Sequence, residues 1–187
     1  MKIILGSASP RRQNLLKELG YAFEILVSDL EEIVDHSLPI EDVAVDLATK
    51  KALYLLPKAA KETILICADT VVIYENTILG KPANKEQALE YLSILSGNEH
   101  RVITGVALMN TEKSVQFSET TYVRFKTLSD EEIFYYIENY HPYDKAGAYG
   151  IQDWIGLVGV ESIQGSYTNV LGLPTQHLIE KLRSFNS

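Results

Sequence analysis

The stretch Lys2-Ile3-Ile4-Leu5-Gly6-Ser7-Ala8-Ser9-Pro10-Arg11-Arg12 reads as a strand, a turn and the first turn of a helix, and that order decides the fold class. Lys2 to Leu5 is a short branched apolar run, as a buried strand requires. Gly6 to Ser9 turns the chain, Ser9 suits an N-cap, and Pro10 suits the first helical position. The helix continues through Leu15, Leu16 and Leu19, which share one face, and stops at Gly20. Its first-turn N–H groups have no helical partners and point back towards the strand end. Ser7, Ser9, Arg11 and Arg12 crowd the same end, making an oxyanion corner suited to phosphate. A helix N-terminus contributes only about 0.3–1 kcal/mol to holding an anion. A triphosphate therefore needs the arginines and further cations. The ordinary alternative is a capped helix with two solvated arginines.

Composition narrows the class. The chain has 187 residues, 46% hydrophobic and 22% charged, as in an ordinary globular protein. That length buries about 70% of the unfolded surface, enough for one sizeable core, so residues 1–187 read as a single domain. A net charge of −8 argues against a nucleic-acid footprint, but not against a small anionic ligand near local cations. Cys67 stands alone in an apolar run and reads as a buried small hydrophobe, with no disulfide, CxxC or zinc site. No apolar stretch approaches a membrane span, and a cytoplasmic location is the expectation.

Further on, Tyr21 to Val27 reads as a second strand, followed by an acidic stretch ending in Glu31-Glu32 that suits metal ligands or, more commonly, a solvated loop. Glu41 to Leu56 reads as a helix whose apolar stripe (Val43, Ala44, Leu47, Ala48, Ala52, Leu55) includes Lys51. Lys51 either snorkels to water or projects into a cleft that needs a cation. Ile64 to Ala68 reads as a central strand, interrupted by Asp69-Thr70 before Val71 to Ile73 resumes. A carboxylate there is costly unless paired, hydrogen-bonded or metal-bound. Glu75-Asn76 suits a tight hairpin leading to Gly80-Lys81-Pro82.

Asn84 to Leu95 reads as a helix, His100 to Met109 and Ser114 to Thr127 as antiparallel strands, and Ser129 with Glu132 as a capping box for a helix to Asn139. The stretch from His141 to Gln152, with its small residues and glycines, offers Lys145 and Gln152 as polar handles, and the Gln152 amide can read a nucleobase edge because it both donates and accepts. Trp154 to Glu161 and Ser162 to Leu171 read as closing strands, and Pro174 to Phe185 as a final helix. The histidines are scattered, and GxSxG, P-loop and GxGxxG patterns are absent from the sequence.

Taken in order, Ser7-Ala8-Ser9-Pro10-Arg11-Arg12, Lys51-Ala52, Ala68-Asp69-Thr70, Gly80-Lys81-Pro82, Leu95-Ser96-Gly97, His100 with Thr104-Gly105-Val106, Asp144-Lys145-Ala146-Gly147 and Gly172-Leu173-Pro174 resemble the Maf family of nucleotide pyrophosphatases along nearly the whole chain. Ala148-Tyr149-Gly150-Ile151-Gln152 resembles the branch that hydrolyses dTTP and UTP. The resemblance implies an α/β fold: a mixed twisted sheet with flanking helices, in two lobes around a deep cleft, similar to inosine-triphosphate pyrophosphatases. It implies hydrolysis of a nucleoside triphosphate to monophosphate and pyrophosphate with Mg2+ or Mn2+, a role in nucleotide-pool cleaning and cell-division arrest, and a homodimer. Asp69 would be the proton acceptor and, with Glu32, a metal ligand. Arg12, Thr70 and Gln152 would govern nucleotide choice, and Ser7, Arg11, Lys51, Lys81 and Lys145 would serve the phosphates. Asp153 departs from the family's usual Gly, and Asn139-Tyr140-His141 from a common Glu. The rival expectations are a nucleotide-binding regulator without turnover and a different phosphate enzyme.

Overall fold

A computed structural model of the chain describes residues 2–60 and 62–185. Among these, the strands are β1 (Lys2–Leu5), β2 (Phe23–Ile25), β3 (Thr63–Tyr74), β4 (Thr77–Leu79), β5 (Glu99–Met109), β6 (Ser114–Phe125) and β7 (Val160–Gln164). The α-helices are α1 (Pro10–Glu18), α2 (Val43–Leu55), α3 (Lys85–Leu95), α4 (Asp130–Tyr140), α5 (Trp154–Gly159), α6 (Tyr167–Val170) and α7 (Thr175–Phe185). Strand order is β2-β1-β3-β5-β6-β7, with β4 added to β3. β1 runs parallel to β2 and β3, whereas β3–β4 and β6–β7 are antiparallel, so the sheet is mixed as expected. No described helix is long and apolar enough to cross a membrane.

The chain divides into two compact units. The first comprises Met1–Asp69, Thr104–Glu119 and Gly172–Ser187. Its core joins Ile4, Leu65 and Cys67 to Ala48, Ala52 and Leu55 of α2. Gly105 allows α2 to come close: a Cβ there would lie 2.3 Å from the carbonyl carbon of Ala44 and from the backbone nitrogen of Val45. Cys67 is fully buried, and desolvation pushes its thiol up to about 12, consistent with an inert core residue.

The second unit comprises Thr70–Ile103 and Thr120–Leu171. Leu92 and Leu95 of α3, Ile133, Tyr136 and Ile137 of α4, and Phe125 and Tyr149 build its core. The Ser129–Glu132 capping box forms in full. At α3, Asn84 accepts from the Gln87 N–H at 2.9 Å, but Gln87 reaches back to the Ala83 N–H, one residue earlier than a capping box requires. His100 is buried, with Nε2 2.7 Å from the Tyr149 hydroxyl and Phe125 packed edge-on.

Two sequence expectations need correction. β3 runs unbroken through Asp69-Thr70, because cations from α1 and α2 lie beside the carboxylate and the strand need not break to hydrate it. Of the expected strands at Trp154–Glu161 and Ser162–Leu171, only Val160–Gln164 is a strand (β7); the residues before and after it form α5 and α6. Asp153 occupies the N-cap position of α5, and the Ser166 hydroxyl accepts the Asn169 N–H at 3.2 Å to cap α6. Both apolar runs are too short for periodicity to separate helix from strand.

Gly105→Ala should cost about 1–3 kcal/mol or more by forcing α2 away from β5. A lower urea midpoint at unchanged m would show it, and an unchanged midpoint would refute the close approach. His100 supplies a pH test. Burial pushes its imidazole down to about 3, so it stays neutral in the folded chain while the unfolded chain binds a proton below the usual 6.5. Stability is therefore lost as pH falls from about 6.5 towards 3. Between pH 7 and pH 5, wild type should lose about 2 kcal/mol more than His100→Gln. Equal losses in urea titrations at the two pH values would contradict this.

Candidate functional site

In the first unit the opening stretch folds as its sequence suggests. Ser9 holds the N-cap position of α1 and Pro10 follows it, but the Ser9 hydroxyl makes no cap bond. Ser7, buried at the turn, accepts the Ser9 N–H at 3.2 Å and the Arg12 Nη1 at 3.4 Å. Arg12 Nε donates to the carbonyl of Gly172 at 2.7 Å, fixing the guanidinium from the far end of the chain. Desolvation lowers the Arg12 pKa below the ordinary arginine value; the charge of Asp69 raises it again, Arg11 lowers it, and Glu32 raises it. Arg11 is half-buried, and no hydrogen bond or ion pair of its side chain is found among the described residues.

Asp69 is 7% exposed, and its Oδ2 accepts from the Nζ of Lys51. Lys51 also lies 2.8 Å from Oε1 of Glu32. Lys51 does not snorkel to water: its ammonium is turned to the two carboxylates. Lys50, its neighbour, pairs with Asp46 on the polar side of α2. Glu32 therefore joins the group through Lys51, which the loop reading of its acidic stretch would not require.

No cluster of three metal-ligating His, Cys, Asp or Glu side chains exists among the described residues. Two carboxylates meeting one cation position do suit Mg2+, which is commonly held by one or two carboxylates and completed by phosphate oxygens and water. Asp69 and Glu32 fit that donor set, and Mn2+ accepts the same oxygen ligands.

Thr70 follows Asp69 in β3 and belongs, like Lys81, Lys145 and Gln152, to the second unit. Gly80, just before Lys81, accepts the N–H of Gly147 at 3.1 Å, tying that stretch to the Gly-rich loop. Lys145 contacts Asp144 at 2.8 Å and Asp153 at 3.8 Å. Gln152 is exposed, and its Nε2 donates to Oδ1 of Asp153 at 3.0 Å. Asp153 Oδ2 accepts the hydroxyl of Tyr136 at 2.7 Å, and the Tyr136 oxygen accepts the Gly150 N–H at 3.0 Å. Of the expected residues, Ser7, Arg12, Lys51, Asp69 and Glu32 interact directly or electrostatically in the first unit, with Arg11 beside Arg12.

Sequence reasoning missed Tyr136 and the Gly172 carbonyl. Tyr136 lies on the stripe Ile133-Tyr136-Ile137 and reads as core, with nothing in the spacing to mark its hydroxyl. A carbonyl acceptor has no sequence signature at all.

A protein named dTTP/UTP pyrophosphatase from Parabacteroides distasonis is 48% identical over 98% of this chain and 96% of its own length. Proteins of the same name from Flavobacterium johnsoniae and Bacillus anthracis are each 46% identical, over 97% and 99% of this chain and 93% and 96% of theirs. A solved HAM1 protein from Coxiella burnetii is similar at TM-score 0.48 and 12% identity, over 67% of this chain and 73% of that one, too weak a likeness to bear on function. The family model described as Maf-like protein matches residues 2–185, the same span in which Ser7, Arg12, Lys51 and Asp69 are gathered. On that match, and on relatives nearly half identical from end to end, the chain belongs to the Maf-like protein family.

Proposed function

We propose that this chain is a nucleoside triphosphate pyrophosphatase that hydrolyses dTTP and UTP to the monophosphate and pyrophosphate. The relatives that carry the name dTTP/UTP pyrophosphatase support the reaction and substrates. The observation that carries the reading is Asp69, a carboxylate buried in a strand with Lys51 and Glu32 beside it. A protein that only binds a polyanion gains nothing from carboxylates next to phosphate. An enzyme that must activate water does, and this disfavours the regulator without turnover.

In this reading water attacks the α phosphorus, its bond to the α–β bridging oxygen breaks, and pyrophosphate leaves with the electron pair. Asp69 orients the water and takes its proton. Arg11 and Arg12, with Ser7 at the turn, bind phosphate oxygens at the start of α1, where unpaired N–H groups add to the attraction. Lys51, Lys81 and Lys145 neutralise further charge, which matters more than covalent help in phosphoryl-type transfer. Arg12, Thr70 and Gln152 select the nucleotide. A divalent cation, Mg2+ or Mn2+, held by Asp69 and Glu32 would screen phosphate charge and polarise the linkage. The whole chain acts as one pyrophosphatase domain, in a cytoplasmic homodimer that removes unwanted nucleotides from the pool.

Product analysis of the purified protein with Mg2+ and dTTP, UTP, CTP, GTP and ATP tests this directly. Pyrophosphate with dTMP or UMP is expected; inorganic phosphate would mean a different phosphate enzyme. Asp69→Asn should still bind nucleotide but turn over at least about 10²-fold slower. Turnover near the wild-type rate would remove Asp69 from the proton-transfer role.

A further inference from the structure

Asp153 occupies the N-cap position of α5, where an aspartate ordinarily accepts a backbone N–H of the first helical turn. Here its side chain makes no such bond. The carboxylate is turned away from its own helix: Oδ2 accepts the Tyr136 hydroxyl at 2.7 Å, and Oδ1 accepts Nε2 of Gln152 at 3.0 Å. Lys145 Nζ stands 3.8 Å from the same Oδ2. Carboxylate and amide close over Gly150, where a Cβ would lie 2.5 Å from Asp153 Oδ2 and 2.8 Å from Gln152 Nε2. The polarity of the chain of bonds is fixed from one end. The Gly150 N–H can only donate, so Tyr136 accepts it and passes its own proton towards Asp153. Burial of Tyr136 raises its pKa above the usual phenol range and keeps it a donor.

An ionised carboxylate accepts and never donates. Whatever lies against Asp153 Oδ1 must therefore be the NH2 end of the Gln152 amide, and the carbonyl end must face elsewhere. That matters for pyrimidines. Uracil and thymine present a donor at N3 beside an acceptor at O4, whereas cytosine presents an acceptor at N3 beside a donor at N4. In a fixed base pose, a glutamine amide satisfies one pattern in one orientation and the other after a half-turn of its terminal group. A free glutamine makes that half-turn easily and discriminates poorly.

We propose that Asp153 is a positioning residue for base choice: it pins the Gln152 amide in one orientation, so that uracil and thymine are accepted and cytosine is refused. The inference rests on the proposed pyrimidine triphosphate reading and adds to it the group that enforces the choice.

The test compares kcat and KM for UTP, dTTP and CTP, by pyrophosphate release, in wild type, Asp153→Asn, Gln152→Ala and the double variant. Asparagine keeps the size of the side chain, and its carbonyl remains the acceptor for Tyr136, so its NH2 faces Gln152 and calls for the Gln152 carbonyl instead of its amide nitrogen. The kcat/KM preference for UTP over CTP should fall about fivefold or more in Asp153→Asn, carried by KM, because the Gln152 amide is no longer held in the orientation that suits uracil and is drawn to the reverse one. In the Gln152→Ala background the same change should not alter the preference further. The proposal is overturned if folded Asp153→Asn keeps the wild-type preference, if UTP and CTP decline in parallel, or if the preference still shifts without Gln152. Should Asp153→Asn not fold, Tyr136→Phe releases Oδ2 and is expected to shift the preference in the same direction by less; no shift overturns the proposal. Failure of the enzyme reading is separate, since it shows as absence of pyrophosphate from the wild-type protein. Equilibrium binding of UTP against CTP then makes the same comparison, with the same outcomes.

Discussion

A carboxylate in the interior of a twelve-residue apolar strand is the constraint on which the first unit depends. Removing such a group from water costs several kcal/mol even after relaxation. One cation near 4 Å at an effective dielectric of 20 returns about 4 kcal/mol, so a single partner roughly breaks even. Asp69 has the Lys51 ammonium on its oxygen, and the Arg12 charge acts on it as well. Each cation is in turn positioned by something else: Lys51 by its place within the apolar stripe of α2, Arg12 by Ser7 and the Gly172 carbonyl. The arrangement contributes little net stability, and apolar residues of the same volume would serve the core as well. Its retention in this form makes sense as chemistry rather than as packing.

Much of this was legible in the residues. The opening strand–turn–helix, the stripe of α2 broken by Lys51, the charge at Asp69 and the capping box at Ser129 are local patterns, and local patterns survive folding when the core does not contradict them. What could not be read is what depends on partners far away in the chain. The strand reading of Trp154 to Leu171 held only for β7 and failed on either side of it, because short runs carry no clear period, and packing rather than propensity chose α5 and α6. The continuity of β3 through Asp69 was illegible because it requires a lysine eighteen positions earlier. Tyr136 was hidden by its own ring, which fits a core stripe whether or not its hydroxyl is employed.

The second unit handles its polar groups differently. His100 and Tyr149 share one bond in the core, both held in their uncharged forms by burial. Tyr136 and Asp153 do the opposite, carrying a buried bond outward to the exposed Gln152. A rigid interior is thereby connected to a side chain in water, which otherwise would sample its rotamers freely. Asp153 thus joins a specific hydrogen-bonded network rather than closing an empty turn.

The bond from Arg12 to the Gly172 carbonyl joins positions 160 residues apart. Lys113 likewise reaches the carbonyl of Ser184 at 2.8 Å. During synthesis, every residue of the second unit has been made by Leu171, while the first still lacks Gly172 onwards. A chain emerging from the ribosome therefore has its opening strand and helix early but cannot fasten Arg12 until Gly172 has been made. Emergence of Gly172, rather than appearance of the first residues, sets the moment at which the anion corner acquires its final shape.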